Sequence, residues 1–209
     1  MALYYSCLAI VTLLENQAGS NVMLKIDVPA EQADNPYAFA AQNHAKEIMA
    51  AAAAFSQAVY THSKLSLREF EAGRALIADI NGCLICQKFR AARDVQSIVS
   101  GLGIRPDQTV VGNGPAPDEA FYAAVKDWRN SDMFNERERL VLEYAERFAT
   151  VPKELAADHA FWAKMKAQFS DAEIVDLAHC VAAWMGLGRT AHVLGFDSVC
   201  TPFISASAN

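Results

Sequence analysis

Two cysteines separated by two residues, Cys83 and Cys86, are the residues of this sequence with the clearest chemical meaning. The Asn81-Gly82 pair before them interrupts a helical pattern, which predicts that a new helix begins at Cys83. In the first turn of a helix, free N–H groups and the positive end of the dipole stabilise a thiolate and lower a cysteine's pKa. Residues three apart lie on neighbouring turns, so the two sulfur atoms could close a disulfide. One thiolate could therefore attack a peroxide or a disulfide, and the other could resolve the product.

The same spacing also occurs in zinc sites, which need two further ligands. The sequence contains no second Cys-x-x-Cys pair, and His179 and Cys180 are adjacent, so they would point in different directions on a helix. A redox pair is therefore favoured over a zinc site, with an inert structural pair as the other alternative. Since no phosphate loop or nucleotide fingerprint occurs either, we predict no metal and no bound cofactor.

Two charged residues are spaced so that they could assist the cysteines. Glu71 precedes Cys83 by twelve residues and could accept a proton, although an exposed surface glutamate is the commoner case. Arg90 follows Cys86 by four residues, so on a continuous helix it would share that face and stabilise a thiolate. It could instead pair with Glu71 or be an ordinary surface arginine. Its guanidinium cannot transfer protons because it stays charged.

The elements that must position these residues are predicted to be helices from about Asn35 to the C-terminus, where alanine is abundant and apolar residues recur at helical spacing. One helix runs from Pro36 towards Tyr60, and the next begins at the Ser66 capping box. The Cys83 helix is predicted to continue towards Val99. Beyond an irregular connector, further helices are expected to begin at four capping or breaking positions: Asp118, Asn135, Pro152 to Asp158, and Ser170. Short links between helices predict an all-α bundle.

The composition limits the classes of function. The 209 residues are 53% hydrophobic, enough for one domain or two related halves with a real core. A net charge of −6 without a basic stripe makes nucleic acid or an anionic membrane a poor partner. Five cysteines with one close pair do not resemble a secreted disulfide framework, so we predict a cytoplasmic protein. Cys180 and Cys200 are interpreted as buried apolar residues.

The N-terminal segment differs from the rest of the chain. The apolar run Cys7–Leu14 is too short to span a bilayer. A signal peptide would have a Lys or Arg before its apolar run, and none precedes this one. Strand-forming residues between Tyr4 and Ile26 flank a turn-like Gly-Ser-Asn, which favours a hairpin. We therefore predict an N-terminal extension over residues 1–30 and a helical domain over residues 31–209.

The segments around the cysteines carry a family resemblance. Leu67-Arg68-Glu69-Phe70-Glu71, followed by Ile80-Asn81-Gly82-Cys83-Leu84-Ile85-Cys86, resembles the signature of alkylhydroperoxidase-D-like proteins, relatives of the carboxymuconolactone decarboxylases. In that family a glutamate precedes an Asn-Gly-Cys-x-x-Cys helix start at this distance. Three later stretches resemble the second half of the family: Phe134–Arg139, Phe169–Val175 and Gly188–Ala191. The resemblance covers roughly Asn35 to Asp197.

The resemblance implies an all-α alkylhydroperoxidase-D-like bundle that assembles into trimers, hexamers or related homo-oligomers. It implies reduction of a small hydroperoxide, or of another small organic substrate such as a disulfide, with a dithiol as reductant. Cys86 would be oxidised to sulfenic acid, Cys83 would donate a proton and resolve, and Glu71 would be the proton-relay carboxylate. The dipole argument alone would favour Cys83 as the more acidic thiol.

One departure affects the mechanism, because the family pattern has a histidine where this chain has Arg90. The relay from glutamate through histidine to the thiolate is therefore broken. We hypothesise that peroxide turnover is reduced or redirected, or that another group fills the role. His62, shortly before the Glu71 helix, is one candidate, and His192, near Arg189, is another. For both, an exposed or structural histidine is the alternative.

Two other functions stay open at this point. One is a cofactor-free decarboxylase-like lyase that would use Glu71, Arg90 or a histidine, and the other is a non-catalytic helical oligomer. The cysteine pair favours redox chemistry, since the related decarboxylases generally lack it. The three tryptophans are assigned to the core or a subunit interface in preference to a substrate pocket: Trp128, Trp162 and Trp184.

Overall fold

The structure is a computed structural model that describes residues 23–197 of the chain. Within this range there is no strand, and ten α-helices follow one another. They are α1 (Pro36–Asn43), α2 (Lys46–His62), α3 (Leu67–Asn81), α4 (Leu84–Lys88), α5 (Ala91–Val99), α6 (Glu119–Ala124), α7 (Glu136–Thr150), α8 (Pro152–Ala157), α9 (His159–Gln168) and α10 (Asp171–Val193). Four 3-10 helices complete the order: Ala30–Gln32, Pro106–Gln108, Val110–Asn113 and Val125–Asn130. The predicted all-α bundle is confirmed.

Helix α3 is the central element, since it packs most extensively against α7 and α10. Its Phe70 side chain is fully buried and meets Trp184 of α10 edge to face, with ring centroids 4.7 Å apart. A Cβ at Gly73 would lie 3.1 Å from side chains of both Trp184 and Val141, so the missing side chain lets α3 approach α10 and α7 closely. The C-terminal end of α3, which leads into Cys83, is thereby held against α10.

Three capping boxes begin the three helices of this core. Ser66, Asn135 and Ser170 each accept the backbone N–H of a glutamate three residues later, and each glutamate side chain accepts the N–H of its cap. Two arginines then join the boxes, because Arg68 pairs with the glutamate of α7 and Arg137 pairs with those of α3 and α10. The predicted starts of these three helices are confirmed, and the N-terminal ends of α3, α7 and α10 lie close together.

The tryptophans belong to the core, as predicted. Trp128 and Trp184 belong to the buried hydrophobic cluster, and Trp162 is partly buried and packs against that cluster. Their assignment to a subunit interface stays a prediction.

The first predicted helix is divided. Instead of running from Pro36 towards Tyr60, it is interrupted between Asn43 and Lys46, where Ala45 has a φ of 43°. A non-glycine residue in the left-handed region cannot continue an α-helix, so α1 and α2 point in different directions.

The predicted helix from Cys83 towards Val99 is also interrupted. Helix α4 ends at Lys88, Phe89 and Arg90 are extended, and α5 begins at Ala91. The backbone N–H of Arg90 donates to the Asp94 carboxylate at 2.9 Å, as at the start of a new helix. The prediction of a single long helix was wrong, because polar side chains form hydrogen bonds with backbone groups that a continuous helix would have paired internally.

The connector between the two halves of the chain lies against the α2–α3 turn. It contains two 3-10 helices in place of a wholly irregular loop, and its Val110 is fully buried. The Asn113 amide donates to the backbone oxygens of Ser63 and Leu65 at 2.8 and 2.9 Å. These bonds fix the connector directly before α3.

Most of the predicted hairpin lies outside the described residues, as do Cys7 and Cys200. At the start of the described range, the N–H of Lys25 donates to the backbone oxygen of Leu194 at 3.1 Å, so this segment lies beside the end of α10. The division into residues 1–30 and 31–209 stays a prediction. Between residues 23 and 197, none of the helices has the length and apolar character needed to cross a bilayer.

Candidate redox site

Cys83 and Cys86 form a disulfide, with Cα atoms 5.2 Å apart. Cys83 is the N-cap of α4 and only 1% exposed, whereas Cys86, inside α4, is partly exposed. The pairing anticipated from the spacing is therefore present, and the two sulfur atoms differ in their access to solvent.

The first turn of α4 is occupied by two acceptors. The Sγ of Cys83 accepts the N–H of Cys86 at 3.3 Å, and the Asp197 carboxylate accepts the N–H of Leu84 at 2.9 Å. A donated N–H favours a thiolate on Cys83, whereas a neighbouring carboxylate opposes it. The sequence predicted a stabilising effect of the helix dipole alone, but in the structure the Asp197 carboxylate also acts at this helix start.

Two glycines let α10 approach the cysteine segment. Gly82 has a φ of 70°, and a Cβ there would lie 3.1 Å from Nε2 of His192. A Cβ at Gly188 would lie 3.5 Å from Sγ of Cys86. Gly82 therefore makes room for the His192 ring next to the residue before Cys83, and Gly188 forms part of the wall beside Cys86.

Asn81 holds the end of α3 to α10. Its amide donates to the backbone oxygens of Trp184 and Met185 at 3.0 and 3.3 Å, and its own oxygen accepts from Nε of Arg189 at 3.1 Å. The Asn-Gly pair before the cysteines therefore fixes the position of α4 as well as breaking α3.

Glu71 is fully buried and lies in an ion pair with Arg74. Arg74 donates from Nε and Nη2 to the two carboxylate oxygens at 2.8 Å each, and the hydroxyl of Tyr122 donates to Oε2 at 2.6 Å. Burial by itself lowers the pKa of Arg74, but the charge and hydrogen bonds of Glu71 raise it by a larger amount. The net pKa is therefore raised, and the guanidinium stays charged. Burial, followed by Glu71, raises the pKa of Tyr122, which stays protonated as a donor.

Arg74 joins this ion pair to the cysteine segment. Its Nη1 donates to the backbone oxygen of Cys86 at 2.6 Å, and its Nη2 donates to that of Phe89 at 2.7 Å. Glu71 itself makes no hydrogen bond to Cys83 or Cys86 within the described range. Its connection to the cysteines runs through Arg74.

Arg90 pairs with Glu119 and not with Glu71. Its guanidinium forms a two-bond ion pair with Glu119 at 2.9 and 2.8 Å and stacks over the Tyr122 ring, 3.8 Å from the centroid. The hydrogen bond from Arg90 lowers the pKa of Glu119. The predicted helical face shared with Cys86 is wrong, because the helix is interrupted at Phe89 and Arg90.

Of the two candidate histidines, the structure brings His192 to the cysteine segment. His62 is the exposed last residue of α2 and, within residues 23–197, makes no hydrogen bond to Glu71, Cys83 or Cys86. His192 lies against Gly82, and its Nδ1 is 2.9 Å from Oδ2 of Asp197.

A cavity of about 170 Å³ opens beside Cys86. Its lining is mostly apolar and includes Phe89, Trp184 and Leu187 as well as Arg74 and Tyr60. Tyr60 is 7% exposed, and its hydroxyl has no hydrogen-bond partner within the described part of the chain. Burial raises the pKa of Tyr60, so the phenol stays protonated. The cavity can therefore take a small apolar group, and Tyr60 and Ser56 of its lining carry hydroxyl groups.

The other described thiol lies apart from this site. Cys180 is buried, as predicted, and its Sγ lies 3.3 Å from Oδ1 of Asp176. Burial, followed by Asp176, raises the pKa of Cys180 and keeps it a thiol. Over residues 23–197, no group of three or more His, Cys, Asp and Glu side chains is arranged to hold a metal ion.

Sequence reasoning missed three residues of this site as functional candidates: Arg74, Tyr122 and Asp197. Arg74 follows Glu71 by three residues, a spacing at which opposite charges pair on a helix, so it could have been found. Tyr122 lies 51 residues from Glu71, and Asp197 lies 113 residues from Leu84. No local pattern connects residues so far apart.

Comparison with known proteins agrees with the fold. No protein-family model and no curated protein matches the chain. Among solved structures, it is similar to a protein of unknown function from Agrobacterium tumefaciens, described as a candidate antioxidant defence protein AhpD. The TM-score is 0.53 and the identity 22%, over 86% of this chain and 99% of that chain. The described part of the chain therefore has the all-α alkylhydroperoxidase-D-like fold, as the sequence resemblance implied, and the Cys83–Cys86 disulfide lies at the start of its helix α4.

Proposed function

We propose that this protein is a thiol-dependent oxidoreductase that reduces small hydroperoxides, with Cys86 as the attacking thiolate and Cys83 as the resolving thiol. The observation that carries the proposal is the unequal burial of the disulfide. Cys83 is 1% exposed, whereas Cys86 is partly exposed and lines the cavity. A small molecule in that cavity meets Cys86 first.

The reaction takes two steps in the protein. The Cys86 thiolate attacks a hydroperoxide oxygen, forming an S–O bond and breaking the O–O bond, and the released alkoxide takes a proton. The Cys83 sulfur then attacks the resulting sulfenic acid, forming the S–S bond and releasing water. A dithiol reductant returns two electrons through a mixed disulfide. Because the pair must be reduced again, the proposal includes a reducing, cytoplasmic setting.

Arg74 supplies a fixed positive charge beside the attacking cysteine. Its guanidinium contacts the Cys86 backbone oxygen at 2.6 Å and also lines the cavity. A nearby cation favours a thiolate over a thiol. Glu71 and Tyr122 act here as positioning residues, since both oxygens of the carboxylate bind Arg74. This arrangement needs no proton relay through Glu71.

The cavity favours alkyl or aryl hydroperoxides over hydrogen peroxide. An apolar cavity of ~150 Å³ is large enough to bind benzene. The 170 Å³ beside Cys86 therefore accommodates a substituent of about that size. The hydroxyls of Tyr60 and Ser56, which both line the cavity, are donors for a peroxide oxygen.

Trapping the intermediate tests this proposal. The reduced protein is mixed with one equivalent of tert-butyl hydroperoxide, with and without dimedone, and analysed by mass spectrometry. We expect wild type to form the Cys83–Cys86 disulfide, Cys83→Ser to trap a dimedone adduct on Cys86, and Cys86→Ser to form neither. Cys180→Ser is the control and should behave as wild type. A wild-type pair that stays reduced, or a Cys86→Ser variant that consumes peroxide normally, would overturn the proposal.

The homo-oligomer implied by the resemblance belongs to the same proposal. Light scattering coupled to size-exclusion chromatography should give a mass of a trimer, a hexamer or a related assembly. A monomer at micromolar concentration would contradict that part alone.

A further inference from the structure

A histidine–aspartate pair contacts the two residues that flank the buried Cys83. Nδ1 of His192 lies 2.9 Å from Oδ2 of Asp197, and the same oxygen accepts the N–H of Leu84 at 2.9 Å. The His192 ring lies against Gly82. The pair therefore contacts the residue before Cys83 and the residue after it.

The pairing is energetically important to Asp197. Its side chain is 1% exposed, and its Oδ1 is buried without a hydrogen-bond partner in the described part of the chain. A buried carboxylate is costly unless donors or a positive charge compensate it. His192 and the Leu84 N–H are the two donors to this carboxylate. Asp197 consequently restricts the position of the imidazole.

The same bond selects the free ring nitrogen. An ionised carboxylate only accepts hydrogen bonds, so Nδ1 of His192 carries the proton that faces Asp197. Nε2 is then the nitrogen that can take or give a proton, and it would lie 3.1 Å from a Cβ on Gly82. The missing side chain of Gly82 gives Nε2 its place beside the cysteine segment. His192 is 30% exposed, so it can also exchange protons with water.

We infer that His192, oriented by Asp197, is the acid–base partner of Cys83. This role rests on the proposed function and belongs to its second step. As the Cys83 sulfur attacks the Cys86 sulfenic acid, its S–H proton passes to Nε2 of His192. The histidine returns the proton to the leaving hydroxide, so that water departs and the S–S bond remains. The pair thereby supplies the acid–base step that Arg90 cannot perform.

Other charged or titratable groups lie around this corner of the fold. Arg189, one turn earlier on α10, donates to Asn81. From the N-terminal segment, Lys25 binds Leu194 through its backbone, and Tyr37 of α1 meets the Phe196 ring. Neither Lys25, Tyr37 nor Arg189 hydrogen-bonds to His192 within residues 23–197. The imidazole and the reduced Cys83 thiol are therefore the groups assigned to the pH response.

The test separates the two steps of one turnover. Reduced wild type, His192→Gln and His179→Gln are mixed with one equivalent of tert-butyl hydroperoxide across about pH 5 to 8, where histidine titrates. Peroxide consumption reports the first step, and quenched mass spectrometry reports disulfide formation. His179 is a matched control, because it is an exposed histidine on the same helix whose Nδ1 lies 2.8 Å from the backbone oxygen of Val175, one turn earlier.

We expect His192→Gln to consume peroxide like wild type but to form the disulfide at least tenfold more slowly, since acid–base groups contribute about 100-fold or more. Its disulfide rate should also lose the histidine-like pH dependence. His179→Gln should match wild type in both steps. Equal disulfide rates and equal pH profiles for wild type and His192→Gln would overturn this inference while leaving the proposed function intact. A wild type that consumes no peroxide would instead overturn the proposed function.

A second variant covers the case in which His192→Gln does not fold, which circular dichroism would reveal. Asp197→Asn keeps the shape of the side chain and the bond from Leu84 but no longer selects the imidazole tautomer. We expect a slower disulfide step with a shifted pH profile and unchanged peroxide consumption. A profile identical to that of wild type would count against the pair.

Discussion

The two sides of the cysteine segment differ in the kind of charge that the protein places there. On the Cys86 side, the buried ion pair of Glu71 and Arg74 is fully enclosed, and arginine does not titrate at any usable pH. On the Cys83 side, the imidazole of His192 is 30% exposed and lies against the Asp197 carboxylate. In the mechanism that we propose, a permanent cation suits the attacking Cys86 thiolate, whereas an imidazole suits the Cys83 thiol, which loses its proton in the second step. The five-residue helix α4 thus lies between two different kinds of charged group.

The largest expected effect breaks the Cys86 side. Glu71→Gln removes the charge partner of a buried guanidinium, so we expect a loss of about 3 kcal/mol or more in the free energy of unfolding, measured in urea. The control is Glu119→Gln, which breaks the Arg90 pair at a 74% exposed carboxylate and should cost less than about 1 kcal/mol. Similar losses in both variants would contradict the difference between buried and exposed pairs.

The next effect breaks the Cys83 side. Gly82→Ala and Gly101→Ala both place alanine at a positive φ, of 70° and 81°, which costs about 1–2 kcal/mol of strain each. A Cβ at Gly101 meets nothing within 4 Å, whereas one at Gly82 meets the His192 ring at 3.1 Å. Thermal and urea unfolding should therefore show a larger loss for Gly82→Ala. Disulfide formation should slow in that variant alone, and equal behaviour of the two would argue against the ring contact.

A smaller effect sharpens the Cys86 side. Tyr60→Phe removes the free hydroxyl from the cavity, and one neutral hydrogen bond contributes about 0.5–1.5 kcal/mol. We expect the second-order rate constant with tert-butyl hydroperoxide to fall about two- to tenfold, with no loss of stability, because the hydroxyl bonds no described residue. Stopped-flow kinetics measures this change, and an unchanged rate would remove Tyr60 from substrate binding.

The smallest effect concerns the thiol outside both regions. Burial raises the pKa of Cys180, so the native protein should leave this residue unmodified by iodoacetamide up to about pH 9, whereas the urea-unfolded chain reacts. The raised pKa contributes stability below the pKa of the unfolded thiol, and this contribution is lost as the pH rises through the folded value. Peptide mapping of the alkylated protein checks both states, and rapid native modification would contradict the assignment.

Local signals in the sequence predicted the disulfide and the starts of the three core helices correctly. Ser66, Asn135 and Ser170 cap their own helices through residues three positions away, and Cys83 reaches Cys86 over the same distance. Such contacts are made within one helical turn, so residue type and spacing are enough to indicate them.

The interruption of the Cys83 helix could not be predicted in this way. At this break, the Arg74 guanidinium donates from α3 to the backbone oxygens of Cys86 and Phe89, and the Asp94 carboxylate accepts the N–H of Arg90. Helical propensity favoured continuation, whereas these side-chain contacts, two of them from another helix, occupy the backbone groups at the break.

What the sequence by itself determined is therefore a helical bundle with a cysteine pair that closes a disulfide, because both follow from short-range spacing. Only the tertiary structure decided which charges face that pair. In the structure Glu71 forms its ion pair with Arg74 and not with Arg90, and Asp197 accepts the N–H of Leu84, 113 residues away in the sequence. Those contacts depend on how α3 packs against α10, since side chains on different helices meet only where the helix axes and the glycines between them allow it.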